Sequence, residues 1–275
     1  MELSQISARF FLELALGLFA GLLLLRRREI GAGFTRLTVA LALASLIPGL
    51  LLARGSSAPA SATFAAIGFG VACLLVLFAA GRPPPAIESS LLVVAALVGA
   101  FALFVAVRGQ TPQGGAAFVP LAFASALAST FVLGLVIGAM LLGHWYLVTP
   151  DLPVAHLGRF TAAALAAIYV KLALLALTGW FFRDRFADAA RGCAAIFGLS
   201  GGPAGSFQSE LDFLWLVARV VIGAVGPAIL CHMTLATIRL KATQPATGIL
   251  YAATVTVLMG ELFAIVAERS FAVIL

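Results

Sequence analysis

Eight apolar stretches, each near the length of a bilayer-spanning helix, take up most of this 275-residue chain. About 20 apolar residues wound as a helix rise roughly 30 Å, the thickness of the hydrocarbon layer. In that layer a backbone can satisfy its hydrogen bonds only within helices or a closed barrel. A barrel would show short segments of alternating polarity, and these long Ala/Leu/Val/Phe runs do not alternate. The sequence therefore predicts an all-α integral membrane protein, a bundle of about eight transmembrane helices. Charge agrees: charged residues are 10% of the chain, where a soluble domain carries about a quarter.

The expected spans are about 6–25, 34–53, 63–80, 89–107, 117–148, 160–182, 213–240 and 247–268. Sharp stops separate them. Arg26-Arg27-Arg28-Glu29 closes the first, Arg54-Gly55 the second, and Gly81-Arg82-Pro83-Pro84-Pro85 the third, where proline cannot continue a helix. Thr149-Pro150-Asp151 closes the fifth. The chain reads as one domain, 1–275, with two four-span halves (1–108 and 117–275) that share no visible repeat. Its one sizeable loop, 183–212, is expected outside the membrane. The glycine-rich Gly198–Gly205 lacks the Gly-Lys-Ser/Thr ending and preceding strand of a phosphate loop.

The first span has no small-residue cleavage site in the usual place, so it reads as a retained helix. Its triple-arginine stop puts that end in the cytoplasm and both termini outside. The expected location is a bacterial inner (cytoplasmic) membrane, crossed many times. The net charge of +6 lies in residues flanking the spans, which fits lipid headgroups and gives no reason to invoke nucleic acid. Cys73 and Cys231 fall in spans and Cys193 in the loop, with no Cys-x-x-Cys to hold a cluster or attach haem.

Chemistry is expected where ionisable groups interrupt apolar runs, because each costs at least a few kcal/mol there, about 3 at the centre. Glu13, Lys171, Arg219 and Glu261 qualify as proton-relay candidates. Lys171 should have a polar partner or water beside it. Arg219 and Glu261 are equally readable as a structural interhelical pair. His144 and His232 come next. They lie at similar depth on spans that run in the same direction, and with Trp145, Tyr146 and Arg239 they can surround a quinone headgroup or, as a pair, ligate one haem b iron. The plainer reading of Gly143-His144-Trp145-Tyr146 is an interfacial aromatic belt. His156, near Pro153, is expected in a loop. Gly134 and Gly138 have the small-x-x-x-small spacing of close helix packing, and Pro48 and Pro227 could break their helices.

In the last span, Gly260-Glu261-Leu262 is similar to the Gly-Glu-Leu near the end of the membrane-anchor subunits of molybdenum oxidoreductases, the DMSO-reductase anchor and polysulfide-reductase (NrfD-like) families. Their Gly-Arg continuation is replaced here by Phe263-Ala264-Ile265. The resemblance implies a bundle of similar size without haem, exchanging electrons with quinol and passing them to a partner iron–sulfur subunit. Four readings stay open from the sequence. The first is a quinone-interacting subunit of a respiratory-type complex, with redox or membrane subunits as partners besides the bilayer. The others are a bis-histidine haem b cytochrome subunit, a proton-coupled transporter, and a purely structural membrane subunit.

Overall fold

The computed structural model describes residues 2–25, 30–56, 59–82, 85–110, 116–146, 148–149, 152–183, 187, 191, 194 and 207–271. The triple arginine, most of the 183–212 loop and Pro150-Asp151 fall outside these. Among the described residues there are helices and no strands. Eight segments are long and apolar enough to cross a membrane.

The helices are α1 (Leu3–Gly21, extended by a 3-10 turn Leu22–Leu24), α2 (Ala32–Arg54), α3 (Ala60–Ala79), α4 (Pro85–Gln110), α5 (Val119–Trp145) and α6 (Ala155–Phe181). The seventh span is compound: α7 (Phe207–Val220), a π-helical turn (Val221–Val225) and α8 (Gly226–Arg239). The eighth is α9 (Thr243–Phe271). Pro48 lies inside an unbroken α2, whereas Pro227 follows the π turn at the start of α8. His156 is not in a loop as expected; it is buried in the first turn of α6. That turn also carries Arg159, so hydropathy alone starts the span too late.

α1 packs against α2, α4, α5 and α9, and so joins the two halves of the chain. Beside it, on the side where it meets α5 and α9, the helices α5, α6, α8 and α9 form a ring in which each helix packs on the next, and α7 lies on α9. The helices alternate in direction. The start of α1 therefore shares one face with the ends of α4, α6 and α9 and the start of α5. That face is called here the N-terminal face.

Glycines set the closest approaches, as small residues do between membrane helices. A Cβ on Gly17 of α1 or Gly134 of α5 would collide with the facing helix backbone. Gly223 in the π turn and Gly260 of α9 meet in the same way. Gly138 takes the Phe160 ring of α6, so the close packing expected from the Gly134–Gly138 spacing is present.

Candidate functional site

The helices that approach closely at these glycines also bury charge. Arg9, Glu13, Lys171, Arg219, Glu261 and Glu268 are each at most 5% exposed. They comprise three cations and three carboxylates, so the cluster is balanced. Such balance is what allows charge to persist away from water.

Nearest the N-terminal face, each nitrogen of the Arg9 guanidinium has a partner. Its Nε donates to Glu13 Oε1 at 3.0 Å, one helical turn on. Its Nη1 donates to Gln110 Oε1 at 2.7 Å, and its Nη2 pairs with Glu268. Gln110 in turn donates to the Gln5 carbonyl at 2.9 Å. This ties the end of α4 to the start of α1. A narrow apolar cavity of about 50 Å³ between α1, α2, α3 and α4 opens beside Arg9 and Gln110.

Deeper, Arg219 Nη2 donates to Glu261 Oε1 at 2.8 Å, and Ser129 Oγ lies 3.3 Å from both oxygens of the same carboxylate. The interhelical pair that the sequence allowed is therefore present. One turn earlier on α5, Ser125 receives the Lys171 ammonium at 2.9 Å on its hydroxyl and 3.0 Å on its carbonyl. The polar partner expected of Lys171 is thus a neutral serine. No carboxylate pairs with Lys171 within 4 Å among the described residues, although Glu261, Glu13 and Glu268 all act on it electrostatically. Ser125 and Ser129 line one face of α5 and bring Lys171 and Glu261 to a common seam.

All four relay candidates from the sequence thus belong to one cluster. Arg9, Glu268 and Gln110 were missed. Signals existed for two of them: Arg9 stands four residues before Glu13, and Glu268 stands seven after Glu261, each spacing returning to the same helix face.

The quinone or haem candidates do not assemble. His144 Nδ1 of α5 is 3.3 Å from the Tyr251 hydroxyl of α9, while His232 Nε2 of α8 is 2.7 Å from the Tyr169 hydroxyl of α6. Both imidazoles are exposed on the bundle surface. Tyr146 donates to the Pro153 carbonyl at 2.7 Å, closing the turn between α5 and α6. Trp145 packs edge-on against Phe34, its indole nitrogen buried and without a hydrogen bond. Arg239 ends α8, exposed. As the rings stand, the histidines do not make the facing pair that one haem iron requires. Among the described residues no three His, Cys, Asp or Glu are grouped to hold a metal ion.

No protein-family model, curated protein or solved structure matches the chain, so a functional reading rests on its own residues.

Proposed function

We propose that this multi-pass membrane protein moves protons across the bilayer through the buried cluster. The observation that carries this reading is Lys171. A set of charges that only held helices together would pair each cation with a carboxylate, as Arg9 and Arg219 are paired. Lys171 instead rests on Ser125, one turn from the serine that touches Glu261. Arginine stays protonated at any working pH, whereas lysine and glutamate can exchange protons. Arg9 and Arg219 then act as fixed counter-charges, and Glu268, Glu13, Lys171 and Glu261 are the sites a proton can occupy. A proton leaving Lys171 Nζ for the Glu261 carboxylate converts an ammonium and a carboxylate into a neutral amine and acid. The cluster keeps its net charge through that step.

Proteoliposomes loaded with a pH-sensitive dye test this under an acid pulse, with potassium and valinomycin clamping the potential. The wild type should acidify faster than empty vesicles, and Lys171→Gln and Glu261→Gln should each remove the difference. A wild type no faster than empty vesicles, or variants as fast as the wild type, would overturn the reading.

A second reading, quinone-linked electron transfer within a larger complex, is favoured by the His232–Tyr169 pair. An imidazole and a phenol hydrogen-bonded to each other at the lipid surface can be reached by a lipid-soluble quinone and can donate to its carbonyls. A photoreactive quinone analogue should then cross-link to α6 or α8 and lose that adduct in His232→Ala. Labelling unchanged by that substitution would remove this reading.

A further inference from the structure

Threonine buried in a membrane helix usually turns its hydroxyl back onto the carbonyl four residues earlier. Thr38, Thr130, Thr161, Thr234 and Thr247 all do so here. Two buried threonines with fully enclosed hydroxyls do not. The hydroxyls of Thr178 and Thr254 have no hydrogen-bond partner at all, at 1% and 8% exposure. A buried hydroxyl is rarely left so, and an unassigned water is the usual occupant.

Their positions are related to the cluster. Thr178 follows Lys171 by seven residues on α6, two turns along the same side of the helix, toward the N-terminal face. Thr254 precedes Glu261 by seven residues on α9, two turns toward the opposite end. On α9 the spacing continues in both directions: Thr247, Thr254, Glu261 and Glu268 are all buried. They form a polar stripe that runs most of the helix. Facing it is α5, whose register is fixed at two points. Ser129 meets Glu261, and Gly143 lies so close to Thr247 that a Cβ there would be 2.6 Å from its hydroxyl. Both intervals are fourteen residues (143 − 129 and 261 − 247), so the helices stay antiparallel in step. Thr254 therefore falls on the same seam, halfway between Glu261 and the far end. There the exposed His144–Tyr251 pair begins the surface.

We propose that Thr178 and Thr254 each hold a water molecule, and that these waters connect the charged cluster to opposite faces of the membrane. Thr178 joins Lys171 to the N-terminal face. Thr254 joins Glu261 to the other, along the α5–α9 seam. Buried Val257 separates Thr254 from Glu261 on that stripe and keeps the two aqueous connections apart. The purpose of the waters rests on the proton-moving reading, while their placement does not.

Silver ion, small enough to follow a water path, tests the placement directly. In a background with Cys73→Ala, Cys193→Ser and Cys231→Ala, single variants Thr178→Cys, Thr254→Cys and the control Thr234→Cys are placed in sealed, oriented vesicles. Silver is added to one face, and the thiols left unprotected are counted with a maleimide after denaturation. The thiol at 178 should be protected from the N-terminal face and that at 254 from the opposite face. Both should react at least about tenfold faster than the control, whose native hydroxyl is satisfied by its own helix. Reaction no faster than the control, or from one shared face, overturns the inference. Thr254→Val should also slow proton entry from the far face about tenfold while Thr234→Val leaves it unchanged. A wild type that moves no protons yet shows both silver paths defeats the functional reading alone. Conduction with both thiols inert defeats this inference alone.

Discussion

Helices α2 to α4 and the group α1, α5 to α9 span the same bilayer by different means. In α2 to α4 the most apolar stretches are 17–33% buried, against 72% in α1 and α5 and 28–39% in the other three spans of the second group. Ionisable residues in the first group, Arg36, Arg54, Arg82, Glu88 and Arg108, sit at or near helix ends, whereas the second group carries six inside. Mean hydropathy is highest in α3 and α4, at 2.4 and 2.8, against 1.8 to 2.2 in the spans of the second group, with α2 at 1.9. A peripheral helix needs only to be soluble in lipid, which hydropathy provides. A central helix is held by shape and by paired charge, and so tolerates arginine and glutamate that would expel an isolated segment from the membrane.

That difference is open to direct attack. The largest effect should follow from leaving one charge of the central group alone. Glu261→Leu strands Arg219 and should cost about 3–5 kcal/mol, read as thermal unfolding in detergent. The double variant Arg219→Met/Glu261→Met should recover most of that stability and still fail to move protons. Next in size is a matched glycine pair. Gly134→Ala should cost about 1–3 kcal/mol through overpacking against Gly17. Gly68→Ala in α3, where an added Cβ meets nothing within 4 Å, should be neutral or slightly stabilising. Smaller still, Lys171→Met should change stability by about 1 kcal/mol, because no carboxylate loses a direct ion pair and a proton taken up by one of them restores the charge balance, while abolishing proton uptake. The smallest change belongs to the periphery. Phe64→Ala, at a ring 71% exposed, should stay within about 0.5 kcal/mol. A large loss there would place α3 against a partner instead of lipid.

How much of this could be read beforehand divides along physical lines. The spans were legible because length and hydropathy are summed along the chain. Their ends shifted where polar residues opened a helix, as His156 and Arg159 do in α6 and Gln244 and Pro245 do in α9. Lys171, Glu13, Arg219 and Glu261 stood out because an ionisable residue inside an apolar run has few explanations. Arg9 and Glu268 did not, since both lie close to the ends of their apolar runs. They are buried because α1 is surrounded, which no local pattern records. The histidines teach the complementary lesson. Depth follows from counting residues along an axis, but the direction a side chain faces depends on how neighbouring helices pack. His144 and His232 were comparable in depth and turned toward different tyrosines.

The π turn between Arg219 and Pro227 works as a rotational offset. A π turn accommodates one residue more than the same stretch of α-helix, so it advances everything after it by roughly 100° of azimuth. Arg219 and His232, thirteen residues apart, would differ by about 140° in an unbroken α-helix and differ by about 120° across the π turn, so either way Arg219 points inward to Glu261 and His232 outward to Tyr169. Deleting one residue from 221–225 would remove the offset, and α8 would present a different side to α6 with the order of its sequence otherwise unchanged.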